Sequence, residues 1–522
     1  MSVDLPTVFD NLTTSTNYKT VSGGMSFNMA VNRGLLATES ACNGTCTADT
    51  NGQLQMYTNG GSTRDFSGCV FVLGLRFYNP LNFGIDTEAN SAVTLTLYDS
   101  DDDYKAWTLG GKDTDLGRHL SYHCIVIDPL ATADWSSGTL GVSSMEYYGI
   151  GLDTLGTNNR IYINRAVLVS KSQNDSEIPK IYSTGSDWEE YYDNVAGTSY
   201  STVLHTYIDR LSDVFLLNTP MQIGKSSTKT TFNDNGVTVV SPSSDSEDPV
   251  AKTTNTSFPL YITVGRSDST FTLSGTYEWG TRSTFDFDDY IAGATITLDD
   301  TIFRGMGDIE LGKNVTGTAT FEDTGIVDKD KDASINGSVF RDPYSNTLLE
   351  ITGGTCECTD LSFYGYTSNY AVILASAGTY TFSNCTFDAS GTHEFYADLA
   401  GNVTINCYNC NACGLGVCDA ISGTNSGVGS LTVNHYVDVT VNNIISGSAL
   451  RLEYQTSGAE IYSNSDVGTS VTFEYSYVGN TDVYIKTRKA GNLPYKGEGT
   501  ITDLGMTHTV NMEDDSNYDV ET

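Results

Sequence analysis

The chain has 522 residues, with 27 Lys and Arg against 64 Asp and Glu, a formal charge of −37. That balance argues against nucleic-acid binding and against attraction to anionic lipid, since both need clustered cations. With 32 Tyr, 20 Phe and 4 Trp the chain is too aromatic to be a disordered acidic polymer, and 51 Gly against 10 Pro amid much Thr, Ser, Asn and Val predicts an all-β fold.

Residues 1–172 read as short strands separated by turns: Gly68 to Tyr78, Ala92 to Tyr98, His123 to Asp128, Tyr147 to Leu152 and Arg160 to Val169. This pattern predicts an antiparallel, jelly-roll-like β-sandwich. Trp107, Trp135, Tyr147 and Tyr148 fall within it; they are candidates for a glycan-stacking surface and equally ordinary core residues. Residues 173–251 read as a linker carrying one helix over 202–216, where Leu204, Ile208, Leu211 and Phe215 form an apolar stripe at helical spacing. That helix is expected to cap the element that follows.

Residues 252–442 hold an internal repeat of about 23 residues. Gly353 to Gly365 (GGTCECTDLSFYG), Ala377 to Ala389 (AGTYTFSNCTFDA) and Ala400 to Ala412 (AGNVTINCYNCNA) are its clearest copies, with earlier ones at Gly293 and Thr316. The fourth and sixth positions are apolar in each copy, for example Cys356/Cys358, Tyr380/Phe382 and Val403/Ile405, and the eleventh adds Phe303, Phe340, Phe363, Phe387 and Cys410. Residues two apart on a strand share a face, so stacked copies bury a continuous interior. The prediction is a right-handed parallel β-helix with Cys358, Phe382 and Ile405 in consecutive inward positions. Residues 443–522 break the pattern and predict a small C-terminal β-sandwich.

Three groups invite chemistry. Asp299/Asp300 align one copy away from Glu322/Asp323, and paired carboxylates are the equipment of glycoside hydrolysis. Their column continues as Asp360 and Asn384, typical turn residues, so a solvated turn edge is the expected reading. Cys407, Cys410, Cys413 and Cys418 have a spacing that suits zinc or an iron–sulfur cluster, but separate positions on a coil predict buried or turn thiols and no metal. Asp328, Asp330 and Asp332 form a DxDxD run without the glycine or the downstream glutamate of a calcium loop. No cofactor is expected. Met1 to Asn11 lacks the basic start and apolar stretch of a secretory signal, and no window approaches the roughly 20 apolar residues of a membrane span.

Tyr147 to Val169 (YYGIGLDTLGTNNRIYINRAVLV), Phe215 to Phe232 (FLLNTPMQIGKSSTKTTF), the repeat, and Asp482 to Tyr495 (DVYIKTRKAGNLPY) together resemble structural proteins of tailed bacteriophages. The resemblance implies a virion protein made in the host cytoplasm and displayed on the particle exterior, as capsid decoration, head fibre, spike or tail appendage. It implies other virion proteins as partners, host surface glycan as a further contact, and homo-oligomers, trimers foremost. It carries no catalytic signature, so the protein is expected not to be an enzyme; the alternatives are a tailspike-like glycan depolymerase and a dedicated glycan-binding receptor protein.

Overall fold

The computed structural model describes residues 2–4, 6, 8–10, 18–21, 25–32, 40–46, 51–58, 60–78, 93–110, 122–153, 160–189, 207–241, 251–254, 258–279, 284–287, 291–344, 347–366, 370–388, 393–414, 417–418, 421–516 and 518. It is all-β and falls into two compact units, Met1–Glu310 and Leu311–Thr522.

In the first unit two antiparallel sheets face each other. One holds Asn51–Tyr57, Val93–Asp99, Tyr104–Gly110, Trp135–Ser137 and Met145–Asp153; the other holds Cys69–Tyr78, Tyr122–Ile127 and Arg160–Ser170. Alternation drives the arrangement. Leu54 and Met56, Val93, Leu95 and Leu97, Ile125 and Ile127, and Tyr148 and Ile150 point into one core, each burial favouring the fold by roughly 1.5–3 kcal/mol. The five strands read from the sequence are all present, with ends shifted by one or two residues.

Parallel pairing begins earlier than residue 252. Lys180–Tyr182 pairs with Met221–Ile223, which pairs with Leu260–Ile262, which pairs with Phe285–Asp286, whose next neighbours are Ile309 and Glu310. The helix expected over 202–216 does not extend through residues 208–216; residues 202–206 lie outside the described residues. Ile208–Leu211 and Val214–Leu217 form an antiparallel hairpin instead, and Val214–Leu217 continues as a parallel neighbour of Thr238–Ser241. Ser212 makes the turn with a φ of 58°. Beyond it, Phe215 and Leu217 are buried while Val214 and Leu216 are only half-buried, a strand's two-residue alternation. Nearby, Asp234 is fully buried and accepts hydrogen bonds from Gly236 N (3.1 Å), Ser274 N (2.8 Å), Gly275 N (3.0 Å) and Tyr277 Oη (2.9 Å). A buried carboxylate with this many donors locks neighbouring coils together.

In the second unit each coil contributes to three parallel sheets. Val327–Asp330, Thr347–Thr352, Tyr370–Leu374, Phe395–Ala397 and Gly423–Asn425 pair in series; so do Cys356–Thr359, Gly378–Ser383, Val403–Tyr408 and the first half of Leu431–Asn442; so do Val315–Glu322, Val339–Arg341, Ser362–Tyr364 and Thr386–Asp388. Down the last series the rings of Phe321, Phe340, Phe363 and Phe387 stack at 4.8, 5.0 and 5.1 Å. Between the second and third sheets the corner residues Asp360, Asn384 and Asn409 adopt φ of 57°, 55° and 53°, a conformation that Asp and Asn tolerate better than other side chains. Gly378 is required by close approach, since a Cβ there would stand 1.9 Å from the Gly354 carbonyl oxygen.

The register differs from the expected one at two places. Phe321 pairs with Phe340 and so joins the eleventh-position stack, not the Cys358 column. Further on, Cys358, Phe382 and Cys407 share one column, and Cys356, Tyr380 and Ile405 the neighbouring one. The coil after Phe382 is two residues longer than the spacing of the repeat implies, 25 against 23, which preserves inward facing and therefore hides the slip in an apolar pattern. Leu431–Asn442 then leaves the coils: its second half pairs antiparallel with Ser470–Ser476 and parallel with Met506–Thr509. Opposite lies a four-stranded sheet of Glu460–Val467, Ser448–Tyr454, Thr481–Arg488 and Tyr495–Ile501, sharing a core of Val437, Val439, Leu450, Leu452, Val483 and Ile485.

Candidate active site

The acidic residues singled out from the sequence occupy different places in their coils. Asp300 sits at a mid-strand corner, between Thr295–Leu298, which pairs with Thr270–Leu273, and Ile302–Arg304, which pairs with Thr276–Glu278. Asp299 beside it is exposed. Glu322 and Asp323 instead follow the Phe-bearing strand, in register with Arg341 and Asp342, and Glu322 is ion-paired to Arg341 at 2.9 Å. The expected alignment of the two pairs rested on placing Phe321 one column away from where it lies.

The four aromatic candidates do not make one surface. Trp107 is buried and its Nε1 donates to the Thr132 carbonyl at 3.0 Å; Tyr148 is core, packed 5.2 Å from Phe71. Trp135 lies half-buried on the strand beside Tyr104–Gly110. Tyr147 stacks on Tyr98 at 4.3 Å, donates to Asp102 at 2.6 Å and has the Lys19 ammonium 3.0 Å from its ring centre. Burial first, then its bond to Asp102, push the Tyr147 phenol far up from its usual value.

Of the cysteines, Cys407 and Cys410 are fully buried. The Cys410 thiol donates to the Phe382 carbonyl at 3.3 Å and receives Cys385 N at 3.4 Å, so it stacks with Cys385 and not above Phe387. Cys413 and Cys418 face each other across a short antiparallel bridge, and their side chains lie outside the described residues. Among the described residues no group of three or more His, Cys, Asp or Glu is arranged to hold a metal ion.

Chemistry gathers elsewhere, on the outward face of the sheet that begins at Val327–Asp330. That strand alternates buried Val327 and Lys329 with half-buried Asp328 and Asp330; in its neighbour, buried Leu349 and Ile351 flank half-buried Glu350. Asp328 and Glu350 are register partners on adjacent parallel strands. Such strands lie about 4.8 Å apart, so the two side chains leave one face from neighbouring backbone positions, a spacing compatible with the roughly 5 Å that paired carboxyls need. Glu350 is followed in the same row by Ile373 and then Tyr396. The rings of Tyr370 and Tyr396 stack at 4.5 Å and are half-buried, leaving aromatic surface in line with the carboxylates. The DxDxD run is therefore a strand end and a turn: Asp330 Oδ1 accepts Asp332 N at 2.8 Å, and Asp332 pairs with Lys331. Beneath the acids, Lys329 is buried and donates to the Asp330 carbonyl at 3.0 Å and the Cys356 thiol at 3.3 Å.

The first unit has a similar pair, Asp286 and Glu310, with Tyr261 in the same row. There the tyrosine hydroxyl is committed to the Lys171 carbonyl at 2.6 Å. Sequence reading missed both pairs because these strands fall between the copies of the repeat. The available signal was the spacing Asp328, Glu350, Ile373, Tyr396, with steps of 22, 23 and 23 residues.

No protein-family model matches the chain, and no curated protein does. Solved structures that it matches include an exo-β-agarase, at 10% identity and a TM-score of 0.20 over 32% of this chain and 24% of that one. They also include the catalytic unit of a GH87 α-1,3-glucanase from Streptomyces thermodiastaticus strain HF3-3, at 11% identity and a TM-score of 0.19 over 79% of this chain and 95% of that one. The chain spans about a quarter of the length of the agarases it matches. The expectation that the chain is not an enzyme is withdrawn, since these matching structures, at TM-scores of 0.20 and 0.19, are of glycan-degrading enzymes. Its physical basis fails as well, because it rested on the turn-edge acids and overlooked the sheet-face pair.

Proposed function

We propose that the protein is a glycan depolymerase of the β-helical spike type, with Asp328 and Glu350 as its catalytic pair. The observation that supports this reading is the in-register placement of the two carboxylates beside the stacked Tyr370 and Tyr396 rings. Carboxyl groups about 5 Å apart suit a double displacement. Glu350, whose other row neighbour is the apolar Ile373, is assigned as proton donor to the glycosidic oxygen, and Asp328 attacks the anomeric carbon to form a glycosyl ester. Water, deprotonated by Glu350, then cleaves that ester and restores both carboxyls. The tyrosines offer flat apolar faces to sugar C–H groups on one side of the scissile bond.

The test is release of new reducing ends from a panel of bacterial envelope glycans, agarose and α-1,3-glucan. Asp328→Asn and Glu350→Gln should each lower the rate about 10³-fold, with the fold intact by circular dichroism. Unchanged release by either variant, or no release from any polymer by the native chain, sinks the proposal. Placement on a virion surface, with other virion proteins and host glycan as partners and trimeric assembly, is proposed on the sequence resemblance. The jelly-roll strand order, the right-handed coil and the divisions near residues 172 and 442 are proposed on the strand and repeat pattern, whereas parallel pairing already runs across residue 251. Mass spectrometry of particles and light scattering of the purified chain check placement and copy number.

A further inference from the structure

The C-terminal sheet brings four cations onto adjacent strands. Beyond residue 443 the chain has five Lys and Arg, and four of them, Arg451, Lys486, Arg488 and Lys496, belong to three adjacent strands of this sheet. Leu450, Leu452, Val483 and Ile485 point into the core, so their strand neighbours Arg451, Glu453, Tyr484 and Lys486 point outward. Arg451 is directly opposite Lys486, and Lys486 directly opposite Lys496. Like charges facing each other across strands destabilise a sheet, and this row of three stands in a chain whose net charge is −37. Glu453 offsets part of the repulsion: it is ion-paired to Arg451 at 2.7 Å and to Lys486, whose hydrogen bond holds the Glu453 carboxyl below its ordinary value. Two cations remain outside that arrangement. Lys496 lies 3.6 Å from the centre of the Tyr484 ring. Arg488 is exposed and makes no ion pair or hydrogen bond among the described residues.

Arg451, Lys486 and Arg488, with Glu453 and Glu460, border an open cavity of about 700 Å³ whose lining includes Asn464. Its size suits one or two sugar rings. A guanidinium recognises a planar or tetrahedral oxyanion through paired N–H donors, and Glu453 and Glu460 hold the Arg451 guanidinium in place at its Nε, at 2.7 and 3.3 Å. We propose that this cavity binds an anionic substituent of a saccharide, a sulfate ester or a uronate carboxylate, with Arg488 and Arg451 as oxyanion donors and Lys486 adding charge. The inference rests on the reading that the protein handles glycan, and it places a second, non-catalytic contact on the C-terminal sheet.

Calorimetric titration of the full chain with an ι-carrageenan tetrasaccharide, with tetragalacturonate and with neutral neoagarotetraose tests it. Binding of the sulfated or the uronate oligomer at least tenfold tighter than the neutral one is expected, and whichever binds identifies the anion. Arg488→Gln should weaken that binding at least tenfold, and raising salt from 50 to 300 mM should weaken it in the native chain. Equal affinity for charged and neutral oligomers, no binding of either charged oligomer, or an unaffected Arg488→Gln variant overturns the site. Glu350→Gln separates the two proposals: it should abolish cleavage while leaving charged-oligomer binding unchanged, and loss of that binding in Glu350→Gln counts against a separate site.

Discussion

Replacing Phe363 with Ala tests the stacked register of the coils most sharply. The Phe363 ring is fully buried and lies between Phe340 at 5.0 Å and Phe387 at 5.1 Å, tilted by only 13° and 7°. Removing a buried phenylalanine costs about 3–5 kcal/mol, set by how far the neighbours collapse into the void. Here collapse is hindered, because rings above and below are held by their own strands one coil away. Loss of two ring contacts, each worth about 0.5–1.5 kcal/mol, is part of that cost and moves the expectation to its upper half, about 4–5 kcal/mol. Domains are stable by only about 5–15 kcal/mol, so the variant should lie near the limit of folding. Tyr364, the next residue, is 36% exposed on the opposite face, and Tyr364→Ala should cost less than about 0.5 kcal/mol. Urea unfolding followed by near-ultraviolet circular dichroism compares the two. If Phe363→Ala is no more damaging than Tyr364→Ala, the phenylalanine column does not exist.

Asp234→Ala removes a buried acceptor and strands the buried Gly275 and Tyr277 donors, while solvent can reach Gly236 and Ser274. At about 1–3 kcal/mol for each of the two donors that water cannot reach, a loss of about 2–6 kcal/mol is expected; a loss under 1 kcal/mol in urea unfolding counts against the pin. The Cys356 thiol is lowered from 9.0 to about 6, first by the hydrogen bond from Cys358 and then by the Lys329 ammonium, against the effect of burial. A depressed acid stabilises the fold fully above its unfolded value and loses that contribution as pH falls through the folded one. The stability gap between native chain and Cys356→Ser should therefore shrink from pH 9 to pH 6, and a gap constant over that window refutes the Lys329–Cys356 pairing.

The sequence carried the interior well and the surface poorly. Phe340, Phe363 and Phe387 were legible because inward positions must be apolar and recur at the coil length. The same tolerance concealed the two-residue slip after Phe382, since Val403, Ile405 and Cys407 all satisfy an inward position. Leu204, Ile208, Leu211 and Phe215 fit a helical stripe, but a turn at Ser212 splits them, and a hairpin buries Ile208 and Phe215 from opposite strands. The pairing of Asp328 with Glu350 was invisible for a different reason. Outward positions obey no apolar rule, and a pair 22 residues apart becomes a pair only once the first sheet's register is known. Arg451, Lys486 and Lys496 meet in the same way, through strand pairing that their spacing does not announce.

The central claim is that Asp328 and Glu350 cleave a glycosidic bond by double displacement, and the anomeric configuration of the first-formed product tests it most directly. Proton nuclear magnetic resonance, recorded within minutes of adding enzyme to a polymer it degrades, reads that configuration before mutarotation. Adjacent-strand carboxylates about 5 Å apart predict retention, and a product of inverted configuration, which needs carboxyls about 6.5–9.5 Å apart, would contradict the assignment of this pair.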